Sequence, residues 1–303
     1  MGKFVKKKLL GLSLATTLSL SALDLTLIPD YGFVDGHQTF DVSAYGALVG
    51  SADFKVPSQG HMNYNEEAAG LFYNFYITPK NAITLGAGWT RQYLGWKENP
   101  AFNQKNFEDA VINLSYTTYS LDPWRWIMSI GANMNLNHFN LWNRTFYTQL
   151  LWGRYRFQDN VGFHIGFIGQ GGVDVAKYLP IFGFDWYFHP KWSIVAVYPA
   201  EGSFNFHIDE HWKISLIYRS MGGWYHANHR VGPDETIPNA VFTTYSSGVD
   251  IGIYEDYENC KIGLYGGYNF GGWVWIGDSN GHSGNYYKFE NAPYGALKVA
   301  ISF

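Results

Sequence analysis

The sequence predicts an all-β chain folded as a transmembrane antiparallel up-and-down barrel, and three observations predict it. Apolar residues recur at every second position in segment after segment. The connections between these segments alternate between short polar turns and long loops. Aromatic side chains make up 19% of the 303 residues and charged ones only 15%, against about 25% charged in soluble domains. Mean hydropathy is −0.18, which excludes a protein made of long greasy helices. Many aromatics and few charges also exclude disorder. The single cysteine, Cys260, excludes a disulfide scaffold or a paired-cysteine metal ribbon.

The N-terminus reads as a secretory signal over residues 1–21. Lys3, Lys6, Lys7 and Lys8 form its positive region, and the uncharged stretch Leu9–Leu23 follows. Ser19 and Ser21 supply small residues before a cleavage point after Ser21. Four lysines leave with the signal and no acid does, so the net charge deepens from −4 to −8. An exported acidic chain without a basic cluster is no nucleic-acid binder. Residues 22–37 form a short periplasmic segment, too brief for a plug domain, and the barrel occupies 38–303.

Period two is the mark of a strand with two different faces. Leu71, Tyr73, Phe75 and Ile77 form one apolar face. Ile83, Leu85, Ala87 and Trp89 form the next, followed by Ile130, Ala132, Met134 and Leu136. Val161, Phe163, Ile165 and Phe167 repeat the pattern, as do Val249, Ile251 and Ile253. The intervening positions are mostly Gly, Ser, Asn and Thr. A soluble sandwich alternates too, so the connections decide. Short turns fall at Pro79–Asn81, Leu121–Pro123, Gln158–Asn160, His189–Lys191, Asp209–His211 and Asp256–Asn259, with a further tight tip at Pro199–Gly202. Long loops fall near 55–65, 93–106, 137–144, 171–178, 226–239 and 277–291. About fourteen strands follow, with short turns on one rim and long loops on the other, as in membrane barrels. The hairpin 191–208 is short for a crossing, and twelve strands is the alternative if it does not span.

Tryptophans cluster near the strand ends. Trp124, Trp126, Trp186, Trp192 and Trp212 lie by short turns, with Phe188 and Tyr254. Trp89, Trp96, Trp142, Trp224, Trp273 and Trp275 lie toward the long loops. Two such belts are expected at the two membrane interfaces.

Leu297, Val299, Ile301 and Phe303 resemble the C-terminal signature by which bacterial outer-membrane barrels are recognised for insertion. The segment Trp192–Pro199, a strand ending in the pair Tyr198-Pro199, is followed by the short strand Ser203–His207. Over roughly residues 178–303 this resembles a family of Gram-negative outer-membrane barrels of unassigned activity. The resemblance implies the barrel and an outer-membrane location and brings no activity with it. Outer-membrane lipid, lipopolysaccharide and the barrel-assembly machinery are the partners it implies, and assembly as a homo-oligomer is compatible with it.

A charged side chain on the lipid face at mid-depth costs about 2–4 kcal/mol for Lys or Arg, so alternation assigns charges to the lumen. The pore-lining candidates are Arg154, Arg156, His164, Asp185, His207, Arg219, Asp250, Lys261 and Lys298. Both signs occur, so strong ion selectivity is not implied. Arg91 shares the phase of Trp89 and is expected outside, at the rim. His282 beside Ser283 departs from the His-Ser spacing of two found in the outer-membrane phospholipase pattern, and adjacent strand residues face opposite ways. His226 and His229 have a metal-like spacing without an obvious third ligand. The segment Asp278–Gly281 echoes only the start of a calcium loop.

No catalytic residue, metal or cofactor is expected. The leading expectation is a passive pore for small hydrophilic solutes. A closed-lumen barrel acting through its external loops comes second, and a lipid-modifying enzyme third.

Overall fold

A computed structural model describes residues 39–136, 145–172, 177–199, 201–227, 240–257, 259–277 and 284–303. The expected signal and periplasmic segments lie outside them, as do Trp142, His229, Asp278, His282 and Ser283. Among the described residues the only helical element is a 3-10 turn, Pro57–Gln59.

The strands in chain order are β1 (Thr39–Asp53), β2 (His61–Thr78), β3 (Asn81–Trp96), β4 (Asn106–Thr118), β5 (Trp124–Asn135), β6 (Thr145–Gln158), β7 (Val161–Gly171) and β8 (Lys177–His189). They continue as β9 (Trp192–Tyr198), β10 (Glu201–His207), β11 (Trp212–Met221), β12 (Trp224–His226), β13 (Val241–Tyr257), β14 (Cys260–Gly277), β15 (Gly284–Phe289) and β16 (Ala292–Ser302). Each wall strand pairs antiparallel with the next, and β16 pairs back onto β1. The ring therefore closes, and closure is what satisfies every backbone group of an extended chain in lipid.

The wall holds fourteen strand positions. β12 prolongs β11 in unchanged register against β13, from Met221↔Ser246 to Trp224↔Thr243. β15 and β16 share β14 in the same way. The hairpin 191–208 belongs to the wall, which decides for fourteen strands over twelve. With seven residues in each of β9 and β10, it forms a low section. Pairing stops at Phe182↔Tyr198 on one side and Gly202↔Tyr218 on the other.

Alternation sorts the side chains as the sequence indicates. Leu71, Leu85, Ile130, Ile165, Ile251, Leu264 and Leu297 point outward and are exposed. An apolar band of this extent, running around the whole wall, is the outer face of a membrane-spanning barrel rather than a wetted surface. Asn74, Thr84, Ser115, Ser129, Asn205, Ser215 and Asp250 take the opposite phase and are buried inside. Five register shifts occur among the described pairings, and the one between β13 and β14 reverses the phase of β14. Pairing jumps from Gly248↔Asn269 to Ser246↔Gly272. Gly271 takes φ +86 there, a conformation open to glycine, and its N–H donates to Asn269 Oδ1 at 2.9 Å.

At the seam, Phe40 and Phe303 exchange backbone hydrogen bonds of 3.2 and 2.9 Å, and their rings lie 6.5 Å apart. Phe303 is 70% exposed and shares the outward phase of Leu297, Val299 and Ile301.

Candidate lumen site

The long-loop mouth is closed by apolar side chains. Met62, Tyr64, Leu94, Trp96, Phe107, Tyr225, Phe242 and Phe289 form one buried cluster with Phe102 of the β3–β4 connection. Phe107 lies 4.4 Å from Phe242 and 6.1 Å from Tyr225, ring to ring, so β4 meets β12 and β13 across the barrel. Phe102 adds contacts of 5.6 Å to Phe107 and 5.3 Å to Phe242.

Trp224 and His226 have the outward phase, yet each is only 3% exposed. Phe146, which faces the lumen from β6, stacks on His226 at 4.5 Å and meets Trp224 edge-on at 5.7 Å. The tops of β12 and β13 therefore lean inward, above the low β9–β10 section. This corrects the expectation for Trp224, which lies inside this contact and not at a lipid interface. Trp275 packs partly buried against the same group. Trp96 also points inward, donating from Nε1 to the Gln59 carbonyl at 2.8 Å.

Other aromatics keep the outward phase. Trp124 and Trp126 stack at 5.1 Å, with Tyr155 at 5.0 Å from Trp124. Trp186, Phe188 and Trp212 are exposed beside short turns. Trp192 lies against Phe204 and Phe206, and Trp273 lies between Tyr245 and Tyr286. Tyr254 departs from the expected belt. Its hydroxyl lies 3.5 Å from an Arg219 terminal nitrogen, inside the barrel.

Below the mouth the inner wall turns polar. Gln92 Nε2 donates to Thr244 Oγ1 at 3.1 Å, and Tyr64 and Ser246 hydroxyls meet at 2.8 Å, both across the lumen. Two charge networks follow. Arg219 binds Asp250 through two nitrogens, with Nη2 to Oδ1 at 3.0 Å, and its guanidinium lies 4.2 Å over the Tyr265 ring. Tyr294 donates its hydroxyl to Asp250 Oδ2 at 2.5 Å. Nearer the short-turn rim, Arg154 grips Asp185 through Nε at 2.7 Å and Nη2 at 2.6 Å. His164 Nε2 reaches Asp185 Oδ1 at 2.7 Å, and Trp152 Nε1 donates to His164 Nδ1 at 2.9 Å.

The sequence-derived candidates thus fall into two groups. Arg154, His164 and Asp185 converge, as do Arg219 and Asp250, although strand phase alone does not pair them. The remaining four lie apart. Arg156 reaches Asp122 at 2.7 Å and Lys261 reaches Asp256 at 3.2 Å, both exposed at the short-turn rim. His207 Nε2 lies 3.2 Å from Ser193 Oγ. Lys298 has the inward phase opposite Tyr45 and Gly263. Arg91 sits on the outer face between Glu67 at 3.4 Å and Glu108 at 3.7 Å.

Sequence reasoning missed Trp152, Tyr294, Gln92 and Asp109. Asp109 shares its phase with Phe107 and Val111, so a reading by polarity takes that face for lipid. Among the described residues no group of three or more His, Cys, Asp or Glu is placed to hold a metal ion.

Two solved structures share this architecture. A mutant form of TodX, a monoaromatic hydrocarbon channel of Pseudomonas putida, superposes with a TM-score of 0.50 at 9% identity, covering 95% of this chain and 96% of that one. An outer-membrane channel from Pseudomonas putida F1 gives a TM-score of 0.50 at 8% identity, covering 89% and 97%. No family model and no curated protein matches the chain. At this identity the likeness is one of fold.

Proposed function

We propose that this chain is a bacterial outer-membrane channel for small hydrophilic solutes, exported through its signal peptide and inserted among outer-membrane lipid and lipopolysaccharide by the barrel-assembly machinery. The observation that carries the reading is a polar inner wall beneath a mouth closed by side chains from opposite strands. Fourteen strands enclose more width than the eight whose interior side chains fill, so a plug is needed to close this lumen. The names of the two fold relatives, both channels, support passage as the class of function. The chain acts by passage rather than by chemistry. Arg154, His164, Asp185, Arg219 and Asp250 bind one another and serve as wall charges past which a solute moves.

The buried mouth favours one second reading, a closed barrel that acts through its external loops. Single-channel recording of the purified barrel in planar bilayers separates the two. Stepwise conductance supports the channel. Silence of both the native chain and variants trimmed at Phe102 or Phe107 sinks it.

A further inference from the structure

The charged side chains that meet in the lumen networks are compensated, and Asp109 is not. It is 3% exposed, faces inward from β4, and has no hydrogen bond or ion pair among the described residues. The isolated ionised carboxylate is among the costliest groups to bury. Two further acceptors flank this layer, one above and one below. Gln92 Oε1 and Asn133 Oδ1 are buried and meet no donor. The Gln92 amide is held through Nε2 by Thr244 Oγ1, which leaves Oε1 as its open acceptor.

Register places Asp109 between the other two. Asp109 stands opposite Thr90 on β3 and Asn135 on β5. Gln92 is one same-face step above Thr90, and Asn133 is one such step below Asn135. Diagonal neighbours on one face of a sheet lie about 7–8 Å apart, within reach of long side chains. Directly above Asp109 on the same face is Phe107, which joins the roof of Phe102, Tyr225 and Phe242.

We infer that Asp109, with Gln92 diagonal to it beside the roof and Asn133 diagonal to it on the far side, anchors a binding position for a small protonated amine, on the solute path directly beneath the aromatic plug. An alkylammonium head carries up to three N–H donors, and the wall here offers an unpartnered carboxylate with an open carbonyl oxygen diagonal to it on each side. The aromatic roof suits the rest of such a ligand, because ring faces attract a cation and accept its hydrocarbon part. An anion faces the unpartnered carboxylate here, although the Asn135 amide nitrogen opposite Asp109 is a buried donor, and a neutral alcohol leaves the carboxylate uncompensated. The inference names a solute class for the channel reading and rests on that reading for its role in transport, but the site is testable without conductance.

The test is calorimetric titration of the folded barrel in detergent micelles with n-butylammonium, n-butanol and butyrate. The native chain binds butylammonium and neither control. Asp109→Asn keeps the side-chain shape, removes a costly buried charge, and lowers butylammonium affinity at least tenfold. Asn133→Leu, which removes one acceptor, lowers it severalfold. Heat-modifiable electrophoretic mobility verifies that each variant is folded. No butylammonium binding by the native chain, or equal binding by folded Asp109→Asn, overturns the site. Conductance recorded on the same preparations separates the two claims. A conducting barrel with unaltered binding in Asp109→Asn keeps the channel and loses the site. A silent barrel whose binding depends on Asp109 keeps the site and loses the channel.

Discussion

The indole N–H of Trp152 donates to His164 Nδ1 at 2.9 Å, which leaves Nε2 as the imidazole nitrogen that carries a proton toward Asp185. Indole nitrogen is a donor only, so Nδ1 must be the acceptor and the tautomer is fixed by its neighbour. Asp185 then accepts from both the imidazole and the Arg154 guanidinium. Trp152→Phe removes the device and keeps an aromatic in place. Nitrogen-15 NMR of histidine-labelled barrel is expected to show His164 in the Nε2–H form at neutral pH, and a mixture of tautomers in Trp152→Phe. A native spectrum with Nδ1 protonated contradicts the arrangement.

Removing one member of the deeper pair should harm the fold far more than removing both. Arg219 is 5% exposed and the Asp250 side chain is fully buried. A buried charge stripped of its partner costs about 3–5 kcal/mol, while apolar replacement of a whole pair is often neutral. Arg219→Met is therefore expected to lose that amount in reversible urea unfolding from micelles. The double variant Arg219→Met, Asp250→Leu recovers much of it. Tyr294→Phe removes a hydrogen bond to a charged acceptor and costs about 1.5–3 kcal/mol. A double variant as unstable as the summed single ones refutes the coupling.

The wall was legible in the sequence because it depends on local period and on turn chemistry. Ile251 and Ile253 point outward and Asp250 inward because lipid and lumen differ on every strand. What joins distant strands was not legible. Phe107 and Phe242 are 135 positions apart, and nothing local in either distinguishes a lumen aromatic from a belt aromatic. Trp224 shows the limit most clearly. Its phase and its place near a strand end both indicate the outer face, and the inward lean of β12 and β13 against Phe146 overrides them. Asp109 escaped because the residues two before and two after it on its face, Phe107 and Val111, are apolar.

Asp209, in the β10–β11 turn and outside the membrane span, carries a pH dependence of its own. Its Oδ1 accepts from the backbone N–H groups of His211 and Trp212, each at 2.8 Å, and these donors lower its pKa below the ordinary carboxylate value. A depressed carboxylate pKa contributes stability that is fully present above the unfolded value, about 3.9, and is lost as pH falls through the folded value. Amide exchange at His211 and Trp212 is expected to be protected at neutral pH and to lose that protection only as pH falls below the ordinary carboxylate value. Asp209→Ala removes the difference between the two conditions. Equal protection in native and variant chains at neutral pH would show that the carboxylate does not hold the turn.

The plug makes a graded prediction about conductance. Phe107 touches Phe102, Tyr225 and Phe242, whereas Phe102 touches only Phe107 and Phe242 among these rings and sits on a connection rather than a wall strand. Truncating Phe102 loosens the cover, and truncating Phe107 severs the contact between β4 and the leaning β12–β13 pair. Single-channel current is therefore expected to rise in the order native, Phe102→Ala, Phe107→Ala, with open events longer in the last. Phe163→Ala, on the outer face of β7 and 46% exposed, is the control and leaves the current unchanged. A rise of equal size in Phe163→Ala would mean that the current reflects a loosened wall and not an opened mouth. The order itself separates the cross-barrel contact from mere loss of apolar volume, since both plug variants delete the same side chain.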